Sequence, residues 1–341
     1  MAFDIRAFRY ATLLLAAACS VWAGPGNTAV TVMTQNMDAG TDLGFALAYI
    51  NSATPTVGID LTYQEVQKSN FAGRAAILAQ EIKAANPDLV SLQEVTVWST
   101  GPSATDQTPV ADQLKLLSDA LTAVGADYSV VSILPLTAIA LPMSNGTYLG
   151  FLDRNVILAR YGLHTSNVRA NPFAHSLSIP TSLGDIPVPD GWIAVDVTLG
   201  GSTFTLVGTH LVSPIPGHPE VDQLQAAQAQ ELVTLVGGLG RVVVAGDFNS
   251  NATHTPPERT QSVAIMLGAG FTDTWPAVNH GNPGYTWPLY LEDPPAAHPN
   301  GPFERIDFIF ERGLSIQSVD RLGWKAPHAS DHAGVVAALT F

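Results

Sequence analysis

Three apolar runs in the last third of the chain each meet a polar motif at one end. Val242-Val243-Val244-Ala245 leads into Gly246-Asp247-Phe248-Asn249-Ser250. Ile306-Asp307-Phe308-Ile309-Phe310 overlaps Arg305-Ile306-Asp307-Phe308. Ala333-Gly334-Val335-Val336-Ala337-Ala338-Leu339 follows Ser330-Asp331-His332. Short apolar runs rich in β-branched residues read as buried strands. Carboxylates, an amide and an imidazole at the ends of neighbouring strands can converge on one point. Such a cluster suits a divalent metal and a phosphate ester.

The same pattern recurs upstream. Ala29 to Thr34 reads as a strand ending at Gln35-Asn36, and Asp88 to Leu92 as one ending at Gln93-Glu94. Trp192 to Leu199 and Thr203 to Val207 read as a hairpin across Gly200-Gly201, with Thr209-His210 at its end, and Asn155 to Ala159 as a buried strand. Helical spacing of apolar residues predicts helices over Ala72 to Asn86, Val110 to Val124 and Val221 to Val236. Residues 38–70, 133–150 and 171–190 read as loops, the first an irregular excursion punctuated by Gly and Pro. The run Ile133 to Met143 is either a membrane-touching loop or, as favoured here, a buried strand and turn. Strands and helices therefore alternate, with hairpins inserted. This predicts a mixed, layered α/β domain with its site along one sheet edge.

The chain is 46% hydrophobic and 13% charged over 341 residues, enough for a large core and too apolar for disorder. Its formal net charge is −14 with 15 Lys and Arg together. Binding a long polyanion relies on basic residues, so broad nucleic-acid binding is disfavoured. The first residues read as an export signal: Arg6 and Arg9, an apolar stretch from Ala11 to Ala18, then Val21-Trp22-Ala23 before cleavage. We expect residues 1–23 to be the signal and 24–341 one catalytic domain, exported and monomeric, with no obligate protein partner. Cys19, the single cysteine, lies inside that segment, so the mature chain would carry no thiol. Lipid attachment at Cys19 is the alternative, although Ala16-Ala17-Ala18 is a poor lipobox.

Taken singly, each polar residue has two readings. Glu94 is a hard oxygen ligand or an exposed strand-end carboxylate, and Asn36 a ligand or a turn cap. Asp247 and Asn249, two apart in an extended segment, would point the same way; an Asx turn fits Gly246 equally well. Asp307, inside an apolar strand, needs a partner: His332, or else Arg305, or solvent. His210 is a second imidazole of the site or a structural histidine. No Gly-x-Ser-x-Gly, Walker loop or His-Glu-x-x-His occurs.

In order, Asn36, Gln93-Glu94, Gly208-Thr209-His210, Gly246 to Ser250, Arg305-Ile306-Asp307 and Ser330-Asp331-His332 resemble the endonuclease/exonuclease/phosphatase superfamily, over roughly residues 29–341. That group includes deoxyribonuclease I, abasic-site endonucleases, bacterial sphingomyelinases and inositol polyphosphate 5-phosphatases. The resemblance implies a four-layer α/β-sandwich, two packed mixed β-sheets flanked by helices, with the site in a cleft at the sheet edges. It implies Mg²⁺, Mn²⁺ or Ca²⁺ held by Glu94, with Asn36 and Asp331 nearby. It implies that Asp247 and Asn249 position water or phosphate, and that His332 is a general acid/base oriented by Asp307. His210 matches the nuclease I, sphingomyelinase and phosphatase branches. Two departures stand out. Asp222-Gln223-Leu224-Gln225 lacks the Arg many relatives carry there, and the loops at 38–70, 133–150 and 171–190 match no branch. The expected activity is hydrolysis of a phosphodiester or phosphomonoester, a small or lipid substrate being favoured. The alternatives are an extracellular nuclease and a non-catalytic binding protein that kept the fold.

Overall fold

A computed structural model describes residues 28–181, 184–215, 217–252, 260–289 and 301–341. The expected export segment and Cys19 lie outside the described residues. The elements, in chain order, are β1 (Ala29–Asn36), α1 (Gly44–Tyr49), α2 (Pro55–Lys68), α3 (Phe71–Ala85), β2 (Leu89–Gln93), β3 (Val97–Gly101), β4 (Thr108–Asp112) and α4 (Gln113–Val124). There follow β5 (Tyr128–Pro142), β6 (Tyr148–Arg160), β7 (His164–Pro172), β8 (Leu177–Ile179), β9 (Ile186–Val188), β10 (Gly191–Leu199), β11 (Ser202–His210) and α5 (Pro219–Leu235). The last are β12 (Val242–Asp247), α6 (Ser262–Gly268), β13 (Thr272–Asp273), α7 (Thr274–Val278), β14 (Asp307–Arg312), β15 (Ser315–Leu322) and β16 (Gly334–Thr340).

The strands form two large mixed sheets. The first runs β15-β16-β1-β2-β6-β3-β4, with β5 also paired to β6; the second runs β13-β14-β12-β11-β10-β7. Only β1–β2 and β11–β12 are parallel within them. Alternation along the strands puts one set of side chains between the sheets. Val30, Val32, Leu89 and Ile157 meet Ile193, Val195, Leu206, Val243 and Ile309 there. The opposite faces carry the helices. Met33, Val90 and Leu92 pack on Leu78, Ile82, Leu117 and Leu121 of α3 and α4. Val242, Val244 and Phe310 pack on Ala229, Leu232, Val263 and Met266 of α5 and α6. The order helix, sheet, sheet, helix is the expected four-layer α/β-sandwich.

The sheets approach so closely that side-chain size matters. Ser91 Oγ in one sheet donates to the Ala245 carbonyl in the other, 3.1 Å away. A Cβ on Gly208 would come within 2.5 Å of Ser91 Oγ. Within the second sheet, one on Gly246 would lie 2.0 Å from the carbonyl of Thr209 on the neighbouring β11, so the glycine of this motif is a packing requirement.

The three expected loops carry more regular structure than their sequences promised. Residues 38–70 hold α1 and α2. Proline at its first turn suits α2. Its inner face is Gly58, Ile59, Thr62 and Val66, correctly spaced but too polar to read as an apolar stripe. Residues 133–150 are mostly a long hairpin, with β5 and β6 paired from Tyr128↔Arg160 to Pro142↔Tyr148. Ile133 to Met143 thus lies largely in a strand, and Leu134, Leu136 and Met143 are buried. Pro135 is tolerated because the ladder shifts register there. Residues 171–190 end β7 and hold the β8–β9 ribbon. The fourth helix begins at Gln113 rather than Val110. Residues 108–112 pair with β3, and Asp112 then caps the helix by accepting from Leu114 and Lys115 N–H groups.

Candidate active site

The ends of β1, β2, β11, β12 and β14 bring the polar motifs to one edge of both sheets. Asn36 ends β1 fully buried, and its amide nitrogen donates to Glu94 Oε1 at 2.9 Å and to Asp247 Oδ2 at 3.0 Å. One side chain therefore joins a carboxylate beside the first sheet to one in the second. Its oxygen accepts from Asp38 N–H at 2.9 Å. Glu94 follows β2 with φ 53°, a conformation that a non-glycine residue adopts rarely and at a cost. The turn aims its carboxylate back over β1, where Oε2 accepts from Ala39 N–H at 2.7 Å. Burial would raise its pKa, but His210, Asn36, His332 and the Ala39 amide together lower it.

Asp247 ends β12. Its Oδ1 accepts from Asn249 N–H at 2.8 Å, so the motif is an Asx turn, with Asn249 at φ 47°. Of the two readings the sequence left open, the Asx turn is the one adopted, and it still delivers Asn249 to the site. Its amide nitrogen donates to the Leu211 carbonyl at 2.9 Å and lies 3.0 Å from His210 Nε2. His210 feels two opposing pulls. The Asn249 amide favours a neutral ring, and so does burial. The carboxylates of Asp247, Asp190, Glu94 and Asp153 outweigh them and raise its pKa. Its Nδ1 is buried without a hydrogen-bond partner.

Asp307 stands directly opposite Asp247 in the β12–β14 ladder. Two buried carboxylates so placed repel each other. Burial first, and then Asp307, raise the pKa of Asp247. His332 relieves the pair: its Nδ1 lies 3.0 Å from Asp307 Oδ2 and 3.8 Å from Asp247 Oδ2. Asp307 thus pairs with the imidazole, and Arg305 instead makes a two-pronged contact with Asp273, at 3.1 and 2.7 Å. The contact leaves His332 Nε2 free to face the site. Burial would depress the His332 pKa, but Asp307, Asp331 and Asp247 hold it well above the usual value. The ring is fixed from behind: His332 N–H donates to Ser330 Oγ and its carbonyl accepts from Gln35 Nε2, both at 3.0 Å.

Asp331 Oδ2 accepts from Trp287 Nε1 at 3.1 Å. Its pKa is pushed to about 7, by burial first and then by Asp38 and Glu94. Asp38, at φ 58°, is a member of this group that the sequence reading missed. Two residues beyond Asn36 at the same strand end, it carried the same signal as Glu94. Asp153 and Asp190 were also missed. Burial leads in raising their pKa values, to about 6 and about 7, and both act on His210.

Among the described residues, one carboxylate–imidazole cluster brings potential ligand atoms within reach of a single cation. Asp247, Asp307 and His332 present ligand atoms that all lie within 4.8 Å of one another. There, however, the imidazole Nδ1 is already committed to Asp307. Glu94, Asp38 and Asp331 act on one another electrostatically, the first two raising the pKa of Asp331, and they offer hard oxygen donors at the same edge. This donor set fits Mg²⁺, Mn²⁺ or Ca²⁺.

The comparisons agree with this architecture. The model of the Endonuclease/Exonuclease/phosphatase family matches residues 33–332. A Beutenbergia cavernae endonuclease/exonuclease/phosphatase is similar in structure with TM-score 0.59 and 23% identity, over 91% of this chain and 71% of that one. A Leptotrichia buccalis family protein is similar with TM-score 0.58 and 14% identity, over 92% of this chain and 100% of that one. D. rerio TDP2 complexed with single strand DNA product gives 0.53 and 17%, over 92% and 99%. No curated protein matches the sequence. With the family's match spanning nearly the whole strand-end constellation, from β1 to His332, this chain belongs to the endonuclease/exonuclease/phosphatase family.

Proposed function

We propose that the protein is an exported, divalent-metal-dependent phosphoesterase that hydrolyses a small or lipid phosphoester by in-line attack of water. The observation that carries the reaction is the His332–Asp307 contact at 3.0 Å, set beside Asp247 and across from Glu94. Glu94 and Asp331, with Asp38 beside them and Asn36 orienting Glu94, would hold the cation. When bound, it supplies neutralisation of the phosphoryl oxygens and of the leaving oxygen. Asp247, its pKa raised, takes a proton from the attacking water, which Asn249 helps to hold. His210 and His332, both favoured as imidazolium, face the phosphoryl oxygens, and one returns a proton to the leaving oxygen. A phosphorus–oxygen bond to water forms as the bond to the leaving group breaks.

Export is supported by the pattern of Arg6, Arg9 and the apolar stretch after them. A small or lipid substrate is supported by the charge of −14. The buried arginines add to this: Arg74, Arg154 and Arg305 are tied to Asp38, Asp112 and Asp273. A nuclease is the second reading, favoured by the DNA product bound to the structurally similar D. rerio TDP2.

The test is a panel of sphingomyelin, plasmid DNA, bis-p-nitrophenyl phosphate and p-nitrophenyl phosphate, each with Mg²⁺, Mn²⁺ and Ca²⁺. We expect turnover that EDTA abolishes, and a loss of about 10³-fold or more in His332→Ala, on the scale of general acid/base catalysis. EDTA-insensitive hydrolysis would sink the metal, and full activity of His332→Ala the roles assigned. Faster cleavage of plasmid than of the small diesters would favour the nuclease.

A further inference from the structure

The two halves of the site come from opposite ends of the chain, and one buried side chain spans them. Arg74, on α3, is 7% exposed. Its Nε donates to the Ala329 carbonyl at 2.9 Å, just before Ser330-Asp331-His332. Its Nη2 donates to the carbonyls of Met37 and Asp38, the latter at 2.8 Å. Its Nη1 donates to Ser69 Oγ and lies 3.3 Å from the Asp38 carboxylate. All three nitrogens of the guanidinium are thus engaged, and of these partners only the Asp38 carboxylate belongs to the proposed cation site.

We propose that Arg74 is a positioning residue that clamps the carboxylate end of the site, Asn36 to Asp38 beside Glu94, to the imidazole end, Ala329 to His332. Gln113 assists at one end only, donating to the carbonyls of Asp38 and Glu94 at 2.9 and 3.3 Å. Gln35 makes a second stitch, from Asn36 O to His332 O. Arg74 differs from both in carrying charge. It offsets part of the repulsion among Asp38, Glu94 and Asp331 while fixing their spacing. A lysine cannot replace it, because one ammonium lacks the planar fork that reaches both loops.

The catalytic part of this inference rests on the proposed phosphoesterase, but the clamp is also read by metal binding alone. In Arg74→Lys we expect Mg²⁺ or Mn²⁺ affinity, measured by calorimetry on the metal-free protein, to fall about 10- to 100-fold. We expect kcat on bis-p-nitrophenyl phosphate to fall about 100-fold, with KM changed less than about threefold. Arg312→Lys is the control. Arg312 also donates to three carbonyls, of Ala269, Val236 and Leu239, but on the outer side of the second sheet. It should lower stability and leave both readouts unchanged. Ser69→Ala removes one anchor while keeping the arginine, so it serves if Arg74→Lys does not fold; about a threefold fall in both quantities is expected. The clamp is overturned if folded Arg74→Lys, or Ser69→Ala in its place, binds metal and turns over like the wild type. Equal losses in Arg312→Lys would overturn it too, since they would mark a general packing effect. A wild type that binds metal but hydrolyses no ester overturns the reaction, and the metal titration still decides the clamp.

Discussion

Arg305 and Asp273 show how a residue next to the chemistry can be structural. The guanidinium is gripped by both carboxylate oxygens and lies 4.6 Å from the centre of the Phe308 ring. Asp273 also caps α7 by accepting from Trp275 N–H. Both are 6% exposed, so removing one charge strands the other. We expect Asp273→Asn to cost about 3–5 kcal/mol in urea denaturation, while kcat per folded molecule holds. A change below about 1 kcal/mol would show that the pair is not a significant support. Asp307, two residues from Arg305, belongs instead to His332. The sequence put both partners within reach of Asp307, and only the β12–β14 register separated them.

At the scale of elements, α3 packs on the first sheet, carries Arg74 and ends beside a cavity of about 450 Å³ that Glu81, Ile77, Trp324 and Pro327 help to line. Glu81 Oε2 is buried there without a hydrogen-bond partner, and burial pushes the pKa up to about 7 from an ordinary 4.5. A carboxyl raised in this way binds its proton more tightly folded than unfolded. Its contribution is therefore fully present below pH 4.5 and is lost as pH rises to about 7. Glu81→Gln should match the wild type near pH 4 and be more stable at pH 8 by roughly 1–3 kcal/mol. Parallel urea midpoints from pH 4 to 8 would exclude the effect. This helix was legible because Ala75, Leu78, Ala79 and Ile82 are all buried at helical spacing. Helix α2 was not, because glycine and threonine share its inner face. Strand β5 was legible in part: Ile133 to Met143 read as a buried strand and turn, but two prolines and an apolar run without alternation hide its period of two and its full length.

Across the whole molecule, carboxylates accumulate at one edge of two packed sheets. Asp38, Glu94 and Asp331 meet there from three distant stretches of chain, alongside Asp247 and Asp307. A cation that binds this edge only in the folded state must stabilise the fold. At 100 times its dissociation constant the gain is about 2.7 kcal/mol, which should raise the melting midpoint by roughly 5–10 °C. Scanning calorimetry with Mg²⁺ or Mn²⁺ against EDTA checks this, and coincident midpoints would argue against a divalent site.

What the sequence determined by itself is local. Apolar runs ending in Asn36, Glu94, His210, Asp247 and Asp331-His332 fixed which strands exist and which residues stand at their ends, because burial and strand period act between near neighbours. What only the tertiary structure decided depends on groups far apart in the chain. The sheet order set Asp307 against Asp247 and His332. Close sheet packing left little room beside Gly208, and the neighbouring strand β11 left none for a side chain at Gly246. The αL turns at Asp38, Glu94 and Asn249 re-aimed side chains that an extended reading would have pointed elsewhere. Arg74 could be seen as a clamp only when Met37, Asp38 and Ala329 surrounded it, since a buried guanidinium takes its meaning from the partners that folding brings to it.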